Sequence, residues 1–300
     1  MSRHDAAQAR ASRIGILAMI GAMLCFVVND SLVKYASQSL PAGQLIFVRG
    51  VMASAMVLVV ATAMGAMTKI REIARGWIAL RAAAEALATL FYLVSLFHLP
   101  ISTATAINMT TPLIMTVIAA VLFRERVALG LGIATVVGFV GVLFIVQPRA
   151  GALDGYALLC LCAAVLLAAR DMMTRHVHAA VPTILVTLST TISVTLLAGA
   201  VSVVQGWGPI GLREIGILAL AAVMLAIAYT LIVSSTRYGD LALVAPFRYS
   251  ALPFAAVLGY IVWGDIPNLL AWIGIALVIG TGVLVLRASR RTRASDPTHD

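Results

Sequence analysis

Charged residues are scarce in this sequence: only 11% of its 300 residues are Asp, Glu, Lys or Arg, whereas 62% are hydrophobic. In a soluble domain about a quarter of the residues are charged, and so few charges cannot cover the surface of a globular protein. The apolar residues also form blocks of membrane-spanning length, which are continuous rather than alternating. The composition therefore predicts an all-α polytopic membrane protein.

Several signatures of catalysis and cofactor binding are missing. The three cysteines, Cys25, Cys160 and Cys162, lie inside apolar segments and lack the spacing of metal ligands. The sequence has no glycine-rich phosphate-binding loop, and Glu85 is its one deep intramembrane carboxylate, so no acid–base pair is formed there. We therefore expect no enzyme activity, no metal, no cofactor and no ATP hydrolysis.

The apolar blocks predict ten membrane-spanning helices, because each is about the twenty residues that a helix needs to cross the hydrocarbon core. Breaks fall at polar or Pro/Gly clusters, and the residues at 1–13 and 288–300 form polar tails. The predicted spans are 14–34, 42–63, 77–97, 101–123, 127–147, 153–173, 181–205, 212–236, 241–262 and 268–287.

The distribution of positive charge predicts the orientation. The net charge of +9 does not indicate a nucleic-acid partner, because the basic residues lie in short clusters between apolar blocks. One set of alternate connections and tails holds fifteen Lys and Arg residues, and the other holds only Lys34, Arg149 and Arg213. Because cytoplasmic loops carry the excess of Lys and Arg, we expect both termini in the cytoplasm, and the partners include membrane lipid.

An internal repeat divides the chain into two halves, 14–147 and 153–287. Asp30 and Lys34 match Asp171 and Arg175 at a separation of 141 residues, and other features follow in the same order. Five spans are an odd number, so the second half enters the membrane from the opposite side. Inverted repeats of this kind give many secondary transporters two related states, with the substrate site between the halves near the bilayer midplane.

Oppositely charged residues four apart on one helix can neutralise each other. Asp30 with Lys34, and Asp171 with Arg175, are such pairs near helix ends, and we interpret them as structural or gating pairs. Snorkelling of the basic groups to the lipid headgroups is the alternative interpretation.

Glu85 lies deeper, one turn after Arg81. A charge inside a span is costly, so it calls for an explanation. Three interpretations remain open for Glu85: pairing with Arg81, carrying a proton, or contacting a substrate amine.

Two arginines lie about seven residues inside their spans, without an acidic residue within one turn of the same helix. Arg248 is followed by Tyr249 and flanked by two prolines that interrupt the helix. Its guanidinium can bind a carboxylate or phosphate through two parallel hydrogen bonds, so we favour substrate binding for Arg248 and Tyr249. For Arg49 we favour a structural role, and for both the alternative is an interhelical bridge to Glu85 or Asp30.

Neutral polar residues cluster on the fourth predicted span ahead of Pro112. Asn108 and Thr111 fall on similar faces at helical spacing, and Tyr92 of the third span is placed to join them. They either line a substrate cavity or bond neighbouring helices together, as Ser and Thr often do in lipid.

Several segments resemble the drug/metabolite transporter superfamily in its EamA-type ten-helix branch. The resemblance rests on the stretch from Asn29 to Tyr35, on Phe47–Val48–Arg49, on the segment 103–125 with Pro112, and on 245–250 with Gly264–Asp265. It covers about residues 14–287 and implies an inner-membrane carrier of small organic solutes with both termini cytoplasmic. The pattern is similar to a bacterial subgroup that includes S-adenosylmethionine uptake carriers, although Asp265 stands where Glu is commoner.

These observations together predict a secondary transporter for an amino-acid-like zwitterion or an organic anion, with S-adenosylmethionine among the candidates. Its partners are a small-molecule substrate and a coupling proton or ion, and the oligomeric state is not determined by the sequence. An exporter of amino acids or toxic metabolites with the same fold is one alternative, and a passive channel is the other.

Overall fold

The computed structural model describes residues 3–122, 129–147, 154–174, 176–178, 181–238 and 245–294. Within these ranges the secondary structure consists of eleven α-helices and two 3₁₀ helices, without a strand. The α-helices are α1 Arg3–Ala36, α2 Ala42–Ala63, α3 Gly76–His98, α4 Ile101–Asn108, α5 Thr111–Leu122, α6 Leu129–Val146, α7 Gly155–Thr174, α8 Thr183–Gln205, α9 Leu212–Tyr238, α10 Ala251–Trp263 and α11 Leu269–Ala294. The 3₁₀ helices are Ala66–Ala74 and Ala245–Ser250.

Seven stretches of the described residues are long and apolar enough to cross a membrane, and they correspond to seven of the predicted spans. They are Arg13–Ala36, Ala42–Ala63, Gly76–His98, Ile101–Ile118, Gly155–Thr174, Thr183–Gln205 and Leu212–Ile232. Two shorter apolar helices, Gly132–Val146 and Leu269–Leu284, fall in the predicted fifth and tenth spans. The chain is thus a multi-pass membrane protein, and the count of ten spans stays a prediction.

The chain packs as two compact units that are not the predicted halves. Unit 1 comprises Met1–Val27, Pro100–Asp154 and Ile227–Asp300, and unit 2 comprises Val28–Leu99 and Gly155–Ala226. Each unit therefore combines segments from both predicted halves, and the division into halves stays a prediction.

Unit 2 is built on the pairing of α2 with α8 and of α3 with α7 and α8. The α2–α8 pair comes close because Gly43 faces the Ser202 backbone and Gly50 faces the Thr195 side chain. Stacked rings lie at both ends of α3, where Trp77 stacks on His176 and His98 stacks on Tyr156. The apolar core of this unit includes Ala61, Ala66, Leu185 and Leu188.

Unit 1 is built on the pairing of α6 with α11 and of α4 with α10. Gly141 and Gly274 bring the α6 and α11 backbones into contact, because a side-chain carbon at either position would meet the carbonyl oxygen of the other. Close approach of this kind through glycine is a common way for helices to pack in lipid. The apolar core of this unit consists of Ala106, Val142, Ile145, Tyr249, Leu252, Ile275 and Val278.

Candidate functional site

The predicted fourth span is interrupted in the structure: α4 ends at Asn108 and α5 begins at Thr111. The cause is Pro112, which has no N–H to donate to the carbonyl of Asn108, four residues before it. The Thr111 hydroxyl donates to that carbonyl instead, at 2.7 Å. Thr110 does the same for the Ile107 carbonyl at 2.6 Å. The break is therefore stabilised locally by the two threonines.

A second interruption lies in the predicted ninth span. The 3₁₀ helix Ala245–Ser250 precedes α10, whose third residue is Pro253. Pro253 follows Pro112 by 141 residues, and Tyr249 follows Asn108 by the same 141 residues. The two breaks thus occupy equivalent positions of the predicted repeat. In transporters with inverted repeats, interrupted helices at corresponding positions typically form the substrate site.

Four buried side-chain atoms next to these breaks have no hydrogen-bond partner among the described residues: Thr105 Oγ1, Asn108 Oδ1, Tyr249 OH and Ser250 Oγ. Two come from α4 and two from the 3₁₀ helix, and all four lie in unit 1. Buried polar groups are nearly always paired, so each exception calls for an explanation. Binding sites are a common one, because such atoms are ready to pair with a ligand.

Tyr249 is held firmly between apolar neighbours. It is 4% exposed and belongs to the same apolar cluster as Ala106 of α4 and Leu252 of α10. A side chain at Gly282 of α11 would overlap the tip of the Tyr249 ring. Glycine at 282 therefore provides the space that the ring occupies, and the ring holds its hydroxyl in one place.

Arg248 differs from its neighbour, because its side chain is exposed. Ion pairs between described residues do not involve it. The alternative of an interhelical bridge from Arg248 to Glu85 or Asp30 joins residues of different units, and it stays a prediction.

An open cavity of about 280 Å³ lies in unit 1 where α4 begins and α6 ends. Its polar lining comprises Ser102, Thr103, Gln147, Asp265 and Asn268. The amides of Gln147 and Asn268 bond each other at 2.6 and 2.8 Å. Since these amides already satisfy each other, the cavity is a weaker candidate for recognition than the four unpartnered atoms.

In unit 2, a hydrogen-bonded chain joins α1, α2 and α3. Tyr92 donates its hydroxyl to Asp30 Oδ2 at 2.7 Å, and Asn29 Nδ2 donates to Asp30 Oδ1 at 2.9 Å. Arg49 Nη1 donates to Asn29 Oδ1 at 3.2 Å. Lys34, one turn after Asp30, donates to the Leu99 carbonyl. The structure thus places Tyr92 beside Asp30, and Arg49 is linked to Asp30 through Asn29.

A second polar network in unit 2 surrounds Glu85, which is 7% exposed. Arg170 Nε lies 2.9 Å from Glu85 Oε2, nearer than Arg81 Nη2 at 3.9 Å. Arg170 Nε is also 3.2 Å from Asp171 Oδ1. Arg81 donates to the hydroxyls of two threonines, Thr174 and Thr190, at 2.9 Å each. Arg175, the predicted partner of Asp171, lies outside the described residues.

The sequence-based site residues therefore fall into two groups. Unit 1 contains Asn108, Thr111, Arg248 and Tyr249. Unit 2 contains Asp30, Lys34, Arg49, Arg81, Glu85, Tyr92 and Asp171. The main residue that the sequence analysis missed is Arg170, which directly precedes Asp171. Within the described ranges, His, Cys, Asp and Glu side chains form no group that could hold a metal ion.

Comparison with protein families gives a match over nearly the whole chain. The model of the EamA-like transporter family matches residues 13–147 and again residues 155–287. A solved crystal structure with 18% sequence identity has a TM-score of 0.63 and covers 94% of this chain and 99% of its own. At this identity, the structural similarity concerns the fold alone.

Curated relatives are named for three different small molecules. A riboflavin transporter from Vibrio cholerae is 29% identical over 271 residues, 88% of this chain and 90% of the relative. A pseudopaline exporter from Pseudomonas aeruginosa is 24% identical over 91% of this chain and 94% of its own length. An S-adenosylmethionine uptake transporter from Rickettsia bellii is 22% identical over 64% of this chain and 66% of its own length.

Proposed function

Because this chain belongs to the EamA-like transporter family, we propose that it is a secondary carrier that moves a small, ring-bearing polar metabolite by alternating access. In general terms, the chain is a multi-pass transporter of small metabolites. The proposal includes ten spans in two inverted halves, 14–147 and 153–287, with both termini in the cytoplasm of an inner-membrane protein. The family model matches the chain twice, over 13–147 and 155–287, and these bounds nearly coincide with those of the proposed halves. The two matches therefore support the proposed division into halves.

The observation that carries the proposal is the pair of equivalent helix breaks in unit 1. At each break a proline follows four residues after a residue with a buried polar atom that has no described partner, Asn108 before Pro112 and Tyr249 before Pro253. One break comes from each predicted half. A ligand bound to both would therefore contact both halves, as alternating access requires.

The chemistry of these atoms favours riboflavin or a similar neutral heteroaromatic as the substrate. Thr, Asn, Tyr and Ser offer uncharged donors and acceptors, which suit a ring imide and sugar-like hydroxyls. Apolar neighbours of Tyr249, such as Ala106 and Leu252, offer a surface for a flat ring. The names of several relatives agree with this choice.

A charged substrate is the second candidate, and Arg248 is the observation that favours it. Its exposed guanidinium lies next to Tyr249 and is suited to a carboxylate, which an amino-acid-like zwitterion such as S-adenosylmethionine carries. Riboflavin has no carboxylate. A preference for S-adenosylmethionine over riboflavin that disappears in Arg248→Ala would therefore decide for the second candidate.

The first test is the Tyr249→Phe variant of the purified chain. Removing a buried hydroxyl that has no partner costs no hydrogen bond, so the unliganded protein should melt at the same temperature or higher. Riboflavin affinity, followed by quenching of its fluorescence, should fall by roughly five- to thirty-fold, the value of a lost hydrogen bond worth about 1–2 kcal/mol. Tyr260→Phe on the same helix α10, where the side chain is 60% exposed, is the matched control and should leave both readings unchanged.

Unchanged affinity in Tyr249→Phe would remove Tyr249 from the site. Counterflow in proteoliposomes separates a carrier from a passive channel, because only a carrier exchanges external labelled substrate against internal unlabelled substrate. Riboflavin and S-adenosylmethionine serve as the two probes. Exchange of neither probe, together with no ligand-dependent rise in melting temperature, would overturn the proposed substrate classes.

A further inference from the structure

Asp30 has an environment unlike that of Glu85 and Asp171, two other acidic residues inside candidate spans of unit 2. Among the described residues, its carboxylate accepts hydrogen bonds from two neutral groups, the Tyr92 hydroxyl at 2.7 Å and the Asn29 amide at 2.9 Å. Asp30 lies on α1, inside the candidate span Arg13–Ala36. A carboxylate in a membrane span is costly unless it is compensated or takes up a proton.

Glu85 and Asp171 are compensated differently, because both lie beside Arg170, at 2.9 and 3.2 Å. A guanidinium keeps its charge and donates hydrogen bonds without accepting any. It therefore pairs with an ionised carboxylate and has no acceptor to offer a protonated one. Arg170 thus offers these two carboxyl groups donors alone, whereas the Tyr92 hydroxyl beside Asp30 can donate or accept.

We propose that Asp30 is the residue at which this transporter binds and releases its coupling proton, with Tyr92 as its exchanging hydrogen-bond partner. The inference rests on the proposed function of secondary transport and names the coupling ion. It assigns to Asp30 a role different from the pairing with Lys34 that its spacing suggests, and the structure has Lys34 donating to the Leu99 carbonyl.

The Tyr92 hydroxyl makes this exchange feasible because it can donate or accept. When Asp30 is ionised, Tyr92 donates to Oδ2, as in the structure. When water delivers a proton to Oδ2, the new O–H donates to the Tyr92 oxygen and the hydroxyl of Tyr92 rotates away. When Asp30 releases the proton, the O–H bond at Oδ2 breaks and the proton passes to water on the opposite side of the membrane.

Arg49 and Asn29 position the carboxylate through both steps. Arg49 Nη1 donates to Asn29 Oδ1, which turns the Nδ2 donor of the same amide towards Asp30 Oδ1. The charged or titratable groups around Asp30 are therefore Arg49 from α2, Tyr92 from α3, and Lys34 from α1 itself. Arg49 is joined to Asp30 by hydrogen bonds through Asn29, and its positive charge also acts on the carboxylate directly. It is therefore a positioning residue rather than the proton carrier.

Infrared difference spectroscopy of the full purified chain across a pH titration tests proton binding without any substrate. The wild type should show a component of the carboxylic-acid C=O absorption that appears on acidification and is missing from Asp30→Asn, beside the bands that the other acidic residues give in both proteins. Asp171→Asn is the matched control, since Asp171 is the repeat equivalent of Asp30 with an arginine partner, and it should retain the band. Tyr92→Phe should move the band to higher frequency, because the carboxyl loses a hydrogen bond. A band that persists unchanged in Asp30→Asn would overturn the assignment.

Transport in proteoliposomes then tests coupling, with riboflavin as the probe. Asp30→Asn should retain riboflavin counterflow but lose all accumulation driven by an imposed pH gradient. Wild-type counterflow without a response to the pH gradient, or accumulation driven by a sodium gradient instead, would overturn proton coupling while leaving the carrier proposal intact. Absence of riboflavin counterflow in the wild type would contradict riboflavin as the substrate. The infrared titration, which needs no substrate, would still decide whether Asp30 carries the proton.

Discussion

The two packing units differ in the kind of polar group that they bury. In unit 2 the intramembrane charges have partners: Glu85 lies beside Arg170, Arg49 bonds Asn29, and Asp30 accepts from Tyr92. In unit 1, neutral polar atoms such as those of Asn108 and Tyr249 are buried without a described partner. Paired charges stabilise a structure and can bind a coupling ion, whereas unpaired neutral atoms are available to a substrate. The contrast therefore separates the residues of coupling from those of recognition.

The largest loss of stability should come from removing the carboxylate of Glu85 from its ion pairs in unit 2. In Glu85→Ala, Arg170 and Arg81 lose their carboxylate, and removal of one partner of a buried pair costs about 3 kcal/mol. Unfolding of the purified chain in detergent, followed by circular dichroism, should show a clear fall in stability.

The matched control for Glu85 is Glu72 in the 3₁₀ helix Ala66–Ala74. Its pair with Arg75 spans 3.9 Å, and the two side chains are 44% and 71% exposed. Exposed pairs contribute little, so Glu72→Ala should change stability by about 0.5 kcal/mol at most. Equal losses in the two variants would contradict the view that burial makes the Glu85 network structural.

A smaller effect is expected where unit 1 depends on close backbone packing. In Gly274→Ala, the added carbon would meet the Gly141 carbonyl oxygen and Ile145, so α6 and α11 must separate. Overpacking of this kind costs about 1–3 kcal/mol. Gly280→Ala on the same helix is the control, because nothing lies within 4 Å of the added carbon. It should melt at the same temperature or higher, since alanine favours the helix; a fall like that of Gly274→Ala would contradict the packing argument.

Much of the architecture was accessible from the sequence, because hydropathy reports directly on helices in lipid. Seven predicted spans have membrane-spanning counterparts in the described residues, and the family resemblance is confirmed. The polar cluster around Asn108 was also evident, since neutral polar residues stand out in an apolar span. Orientation and the count of ten spans stay predictions.

The pairings that define each unit were not accessible, because they join distant parts of the chain. The Glu85–Arg170 contact links residues 85 positions apart, and no spacing rule on one helix indicates it. Thr111 illustrates a local case: its hydroxyl bonds the Asn108 carbonyl that Pro112 leaves unpaired. That role follows from proline geometry, so the distance from Asn108 to Pro112 could have revealed it.

The smallest expected effects come from removing one hydroxyl in each unit, one that has a hydrogen-bond partner and one that has no described partner. In unit 2, Ser189 Oγ donates to the Ile73 carbonyl at 2.7 Å, so Ser189→Ala should cost about 1 kcal/mol of stability. In unit 1, Thr105 Oγ1 has no described partner, so Thr105→Val should leave stability equal or slightly higher.

Riboflavin binding should respond in the reverse order, because only Thr105 belongs to the proposed recognition site. Thr105→Val should weaken binding, and Ser189→Ala should leave it unchanged once the protein is folded. Both readings come from one titration, in which fluorescence gives the affinity and the melting temperature without ligand gives the stability. If Thr105→Val lost stability as Ser189→Ala does, its hydroxyl would have a structural partner, and recognition would then rest on Asn108, Tyr249 and Ser250.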